Sequence, residues 1–258
     1  MSLLEKIVAH KREEVEFLKR NKPLDESVIS FALYPQRQFL TSISSKKINI
    51  IAELKKASPS LGLIKKVFNP VDIAKAYEEG GATAISVITE KKFFQGDISF
   101  LSDVKMATKL PVLRKDFIID PYQIYESKLY GADAILLIAS ILALNTLKEF
   151  IVLIHDLGME ALVEVHNEAE LEKVLKTEAR IIGVNNRDLK TLKVNLDTSL
   201  RLGPKIPHEK IKVAESGINS KEDILKLKEV NFKTFLIGTS LMREENIKGK
   251  LKEFLLCE

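Results

Sequence analysis

Ile50-Ile51-Ala52-Glu53-Leu54-Lys55 reads as a strand that ends in charge. Side chains alternate along a strand, so Glu53 and Lys55 point the same way. The run before them is apolar on both faces, as in the buried strands of a parallel sheet. That side is therefore interior. A buried charge without a partner is costly, and fold stability alone gives no reason to put one there. Such positions are candidates for chemistry. Val112-Leu113-Arg114-Lys115-Asp116 and Ala161-Leu162-Val163-Glu164-Val165 repeat the design.

Working outward, eight short apolar runs recur: Ile48–Leu54, Ala84–Thr89, Val112–Asp116, Ala134–Ile138, Ala161–Val165, Ile181–Asn185, Lys212–Glu215 and Thr234–Ile237. Helical patterns with clear start signals lie between them. Asn69-Pro70-Val71-Asp72 supplies an N-cap and a proline at the first helical position. Asp120-Pro121-Tyr122-Gln123 has the same layout. Asn167 with Glu170, and Ser220 with Asp223, resemble capping boxes. Gly80-Gly81, Gly131 and Gly158 precede strands, as helix C-caps do. Gly62, Gly96, Gly217 and Gly238 follow strands. Eight strand–helix units in 258 residues predict a (β/α)8 barrel, an α/β fold filling residues 1–258. An open doubly wound sheet would have fewer strands and a G-x-G-x-x-G turn, which is absent. Residues 1–46 are expected to form an N-terminal helical extension packed on the barrel, with a partner-binding helix as the alternative. Ser2 and Glu5 make its capping box, and Leu4, Ile7, Val8, Val15 and Leu18 share one helical face.

Composition narrows the class. The net charge is +4, which suits a small anionic ligand and is no nucleic-acid footprint. No apolar stretch reaches the roughly 18 residues of a membrane span, and the N-terminus has no signal-peptide pattern. Cys257 is the single cysteine, so there is no disulfide framework. A soluble cytoplasmic protein is expected, with neither membrane nor nucleic acid as partner.

Barrel enzymes carry their active sites at the C-terminal ends of the strands. Those ends hold Glu53, Lys55 and Ser58; Lys115 and Phe117; Glu164; Asn185 and Arg187; Glu215, Ser216 and Gly217; Gly238 and Thr239. Ser216-Gly217 and Gly238-Thr239 follow the last two strands, where barrels often bind phosphate. A short helix starting near Thr239 would aim free N–H groups at an anion. Lys55, Lys115 and Arg187 make the rim cationic, which predicts a lowered lysine pKa and a proton donor near neutrality. Glu164 is a candidate general base. Phe94, Phe117, Leu136 and Ile138 suit an apolar pocket, although Leu136 and Ile138 fit the barrel core equally well. No His/Cys cluster has metal-ligand spacing, and His10, His155, His166 and His208 are expected on helices or loops.

Several segments together resemble the indole-3-glycerol phosphate synthase family. Ile51-Ala52-Glu53-Leu54-Lys55-Lys56-Ala57-Ser58-Pro59-Ser60 is similar to its first-strand signature. Phe93-Phe94-Gln95-Gly96, Leu113-Arg114-Lys115-Asp116-Phe117-Ile118, Gly183-Val184-Asn185-Asn186-Arg187-Asp188-Leu189 and Val213-Ala214-Glu215-Ser216-Gly217-Ile218 follow in family order. Leu61 stands where a lysine is common, and Thr239 replaces a frequent serine. The resemblance implies a lyase of tryptophan biosynthesis acting on 1-(2-carboxyphenylamino)-1-deoxyribulose 5-phosphate, with no metal or organic cofactor. It implies Lys115 as the acid of ring closure and Glu164 as a base or partner in later proton transfers. Glu53, Lys55 and Asn185 would complete the polar network, with Lys55 a rival acid. Ser58, Arg187 and Glu215 would hold substrate beside Phe94, Phe117, Leu136 and Ile138. Ser216, Gly217, Gly238 and Thr239 would hold phosphate. The sequence carries no signal for or against a neighbouring tryptophan-pathway enzyme as partner.

Two other readings compete. A phosphoribosylanthranilate isomerase needs an Asp/Cys acid–base pair, and Cys257 at the tail does not suit that role. A phosphate-ligand sensor would need no paired acid and base such as Lys115 and Glu164.

Overall fold

The computed structural model describes residues 1–24, 34–44, 48–189 and 191–256. Cys257 and parts of the 1–46 extension lie outside the described residues. Eight parallel strands close into a barrel: β1 (Asn49–Leu54), β2 (Ala84–Ile88), β3 (Val112–Lys115), β4 (Ala134–Ile138), β5 (Glu160–Val165), β6 (Ile181–Asn185), β7 (Ile211–Glu215) and β8 (Thr234–Ile237). Each strand pairs with its sequence neighbours, and β8 pairs with β1 through Asn49↔Thr234 and Ala52↔Ile237. Their ends fall within one residue of the runs read from sequence.

Alternation sorts the strand residues between two cores. Ile51, Leu113, Leu136, Leu162, Ile181, Val213 and Leu236 cluster inside the barrel. Ile50, Ala52, Ile85, Val163 and Phe235 face the helices. Counting by two from the inner set places Glu53, Lys115, Glu164, Asn185 and Glu215 on the inner face, at its C-terminal end. Phe39 and Ile43 join the inner cluster, and Thr234 Oγ1 donates to the Ile43 carbonyl (2.9 Å). The short helix Phe39–Ser42 thus closes the N-terminal end of the barrel.

The expected caps form. Asn69 Oδ1 accepts from Val71 N, and Asp120 and Ser220 complete capping boxes. Gly81, Gly131 and Gly158 have positive φ, where a side chain is disfavoured. Two expectations need correction. Gly62 opens the second strand of an antiparallel hairpin, Ala57–Ser58 with Gly62–Leu63, that rises from β1. Asn167 Oδ1 accepts from Glu170 N, but the Glu170 carboxylate reaches back one residue further, to His166 N.

Helix α1 (Leu3–Asn21) has the predicted Ser2–Glu5 capping box. It lies across the C-terminal end of the barrel, where Leu3, Leu4 and Ile7 help line the cavity. Ile7 and Val15 are buried, and Leu4, Val8 and Leu18 are half-buried. The same face carries a buried cation. Lys11 Nζ lies 3.1 Å from Asp116 Oδ1 and 2.7 Å from Glu14 Oε2. Among the described residues no helix is long and apolar enough to cross a membrane.

Candidate active site

The inner-face positions converge on one ammonium group. Lys115 Nζ lies 3.7 Å from Glu53 Oε2, 3.7 Å from Glu164 Oε2 and 3.6 Å from Glu215 Oε2. All three distances exceed ordinary hydrogen-bond length. Lys55 is committed instead: its Nζ sits 2.6 Å from Glu53 Oε1. Asn185 joins through its side chain. Its Oδ1 accepts from Arg187 N (3.0 Å), and Asn185 helps to lower the pKa of Glu164.

This corrects the expected electrostatics. Lys55, Lys115 and Arg187 do line one cavity, but Lys115 has three carboxylates within 3.7 Å. Burial alone would lower its pKa; Glu164, Glu215 and Glu53 outweigh that and raise it. The carboxylates split. Burial works to raise Glu164, but Lys115 and His166 hold it well below the usual carboxylate range. Burial and the neighbouring Glu164 charge push Glu215 up, against the pull of Lys115. The two shifts run in opposite directions, so Glu215 takes up a proton more readily than Glu164 does.

A protonated carboxyl group leaves a signature in stability. Because the folded pKa of Glu215 lies above its unfolded value, stability is lost as pH rises past the ordinary carboxylate range. Glu215→Gln mimics the neutral acid. It should therefore raise Tm at about pH 9 and leave it nearly unchanged at about pH 4, where both proteins are neutral at this site. Thermal unfolding at both pH values checks this. An equal Tm gain at each would contradict a protonated Glu215.

Two glycines make room for these carboxylates. A Cβ on Gly183 would stand 2.1 Å from Glu215 Oε1, and one on Gly238 would stand 2.2 Å from Glu53 Oε1. Gly183 was not singled out for the site by its sequence. Gly238 was read only as a phosphate position, yet its missing side chain admits Glu53.

The other expected residues surround the same cavity, of about 330 Å3. Ser58, Phe94, Phe117, Leu136, Ile138, Arg187, Ser216, Gly217 and Thr239 all line it. Phe94 and Phe117 form one wall, with ring centroids 6.2 Å apart. Leu136 and Ile138 serve as both pocket floor and inner core. Arg187 Nη1 donates to the Leu192 carbonyl (2.9 Å), which steers the guanidinium. Ser216 and Gly217 both take positive φ, 65° and 80°. A non-glycine residue there is uncommon, and strained backbone concentrates at functional sites. The short helix expected near Thr239 is present, Thr239–Arg243, and it brings Arg243 to the cavity.

Besides Gly183 and Arg243, sequence reasoning missed Glu90 and His166. Glu90 is buried and accepts from the backbone N–H groups of Phe93 (2.7 Å) and Phe94 (3.0 Å), which holds the aromatic wall. His166, expected on a helix or loop, follows β5 directly, with Nε2 3.2 Å from Glu164 Oε1. The i, i+2 spacing that picked out Glu53 and Lys55 also links Glu164 and His166, and would have found it. Among the described residues no group of three or more His, Cys, Asp and Glu side chains is arranged to hold a metal ion.

A closed parallel barrel whose C-terminal rim gathers an ammonium, three carboxylates and an apolar cleft defines a (β/α)8-barrel enzyme scaffold. The chain superposes on 3-hexulose-6-phosphate synthase from Salmonella typhimurium with a TM-score of 0.67, covering 81% of this chain and 98% of that one. At 12% identity, that likeness concerns the fold alone. The sequence model of indole-3-glycerol phosphate synthase matches residues 4–254, and the chain belongs to that family. The indole-3-glycerol phosphate synthase of Caldanaerobacter subterraneus subsp. tengcongensis is 49% identical, over 98% of this chain and 97% of its own. The one from Dehalococcoides mccartyi (strain CBDB1) is 47% identical, over 98% of this chain and its full length.

Proposed function

We propose that the protein converts 1-(2-carboxyphenylamino)-1-deoxyribulose 5-phosphate to indole-3-glycerol phosphate, CO2 and water, as a carboxy-lyase of tryptophan biosynthesis. The observation that carries this reading is Lys115, an ammonium ringed by carboxylates at 3.6–3.7 Å with none at short hydrogen-bond distance. Its N–H groups are free to turn toward a substrate oxygen.

Ring closure joins the carboxylate-bearing aromatic carbon to the ketone carbon, and the carbonyl π electrons pass to oxygen. Lys115 donates its proton there. The raised pKa is no obstacle, because an alkoxide approaches hydroxide in basicity and water has a pKa of about 15.7. Loss of CO2 returns the C–C bonding pair to the ring system. Dehydration then removes the new hydroxyl with a proton from an acid, while a base takes a proton from the adjacent carbon. Glu164, ionised, suits the base. Glu215, whose pKa is raised by burial and by Glu164, and Lys55 are the available acids. Phe94, Phe117, Leu136 and Ile138 hold the aromatic ring. Arg187 and Ser58 hold polar groups of the substrate, and Ser216, Gly217, Gly238 and Thr239 receive the phosphate. No step draws on a metal or organic cofactor. A cytoplasmic setting belongs to the same reading.

Incubation with the ribulose phosphate should produce indole fluorescence and one CO2 per turnover. The dephosphorylated analogue should bind far more weakly. Absence of both products would overturn the activity, and equal binding of the two compounds would overturn the phosphate assignment.

A further inference from the structure

The chain turns from β5 into the helix Glu168–Val174 through His166 and Asn167. Glu164 and His166 are two apart, so both point toward the barrel end. His166 stands behind Glu164, outside the cavity lining. Its Nε2 lies 3.2 Å from Glu164 Oε1, and its Nδ1 lies 3.0 Å from Glu170 Oε2. Glu170 is itself tied down, accepting from His166 N (2.8 Å) and Asn167 Nδ2 (2.7 Å). A neutral imidazole has only one N–H. Nδ1 makes the hydrogen bond to Glu170 and Nε2 meets Glu164 as an ion-pair contact outside hydrogen-bond geometry, so a carboxylate on each side favours the charged ring.

We propose that His166 is a positioning residue of this site: held between Glu164 and Glu170, it acts as a cation that keeps the Glu164 carboxylate ionised. The proposal rests on the lyase reading only for what the carboxylate does.

The groups that face Glu164 show why a second cation matters. Lys115 faces it from β3, Glu53 from β1, Glu215 from β7 and the neutral Asn185 from β6. Lys115 is shared among three carboxylates, so by itself it does not decide which of Glu164 and Glu215 protonates. His166 touches only Glu164 of that pair, and this breaks the tie. On the other side, Glu170 holds the imidazolium in place. Burial opposes the charged ring, yet the two carboxylates raise its pKa to about 10. Environments that push two titratable groups apart are what assign acid and base roles.

The test has two arms on the full-length protein. In the first, His166→Gln removes the cation and keeps a polar side chain. Removing an adjacent opposite charge should raise the Glu164 pKa, so the acidic limb of the kcat profile should move up by about 1–3 pH units. KM should stay within about twofold, because the residue does not line the cavity, and activity should recover as pH rises. Glu170→Gln should shift the limb in the same direction by less. A purely structural role would instead lower kcat by one factor at every pH, and an unmoved limb overturns the proposal. In the second arm, 15N NMR follows the His166 ring. Expected is a ring that stays protonated past about pH 8, against an ordinary histidine pKa of about 6.5; titration at the ordinary value overturns the proposal. The second arm needs neither turnover nor a folded His166 variant. A wild type without lyase activity would therefore sink the lyase reading alone.

Discussion

Replacing Lys115 by alanine should lower kcat by about 10²- to 10⁴-fold, the usual contribution of a general acid, while phosphate-dependent binding survives. The variant should stall before CO2 release, because the aromatic carbon attacks the ketone before the carboxylate leaves. Glu164→Gln should slow turnover without stopping closure. Single-turnover quenching with labelled carboxylate separates the two. The geometry favours Lys115 over Lys55 as the acid of closure, since Lys55 Nζ is already held 2.6 Å from Glu53 Oε1. Wild-type CO2 release from Lys115→Ala would hand the role to Lys55.

Deleting residues 1–21 should lower Tm steeply. Ile7 and Val15 are each 3% exposed, and buried aliphatic side chains contribute about 1.5–3 kcal/mol each. Together that approaches the lower end of the roughly 5–15 kcal/mol that stabilises a domain. The deletion also strips Asp116 of Lys11. Burial would raise the Asp116 pKa, but Lys11 and Arg114 depress it to about 2. A depressed carboxylate stabilises above its ordinary range, and that stability is lost as pH falls. Lys11→Met keeps most of the buried volume and removes the charge. It should cost stability at neutral pH and less near about pH 2, where Asp116 becomes protonated. An unchanged Tm on deletion would mean that α1 is not docked in solution.

Much of this was legible in the chain. The strands could be read because each is a short apolar run buried on both faces, and the helices because Asn69, Asp120 and Ser220 cap them with their own side chains. Those are local signals. Glu53, Lys115, Glu164, Asn185 and Glu215 were legible for a related reason: a polar group at the inward end of an apolar strand has no structural excuse. The lysine electrostatics were misread because charge type is visible in a sequence and charge proximity is not. Lys55, Lys115 and Arg187 looked like a cationic rim, but barrel closure places three carboxylates within 3.7 Å of Lys115.

Sequence by itself determined the alternation of strand and helix, the inward face of each strand, and the residue types gathered at the rim. These follow from periods of two and 3.6 residues and from local hydrogen bonds, which need no distant partner. Only the tertiary structure decided how the charges divide: Lys55 on Glu53, Lys11 on Asp116, and His166 between Glu164 and Glu170. The missing side chains of Gly183 and Gly238 likewise have meaning only against Glu215 and Glu53 on neighbouring strands. Electrostatic energy and steric exclusion depend on distances of a few ångströms between residues far apart in the chain, and those distances exist only once the barrel has closed.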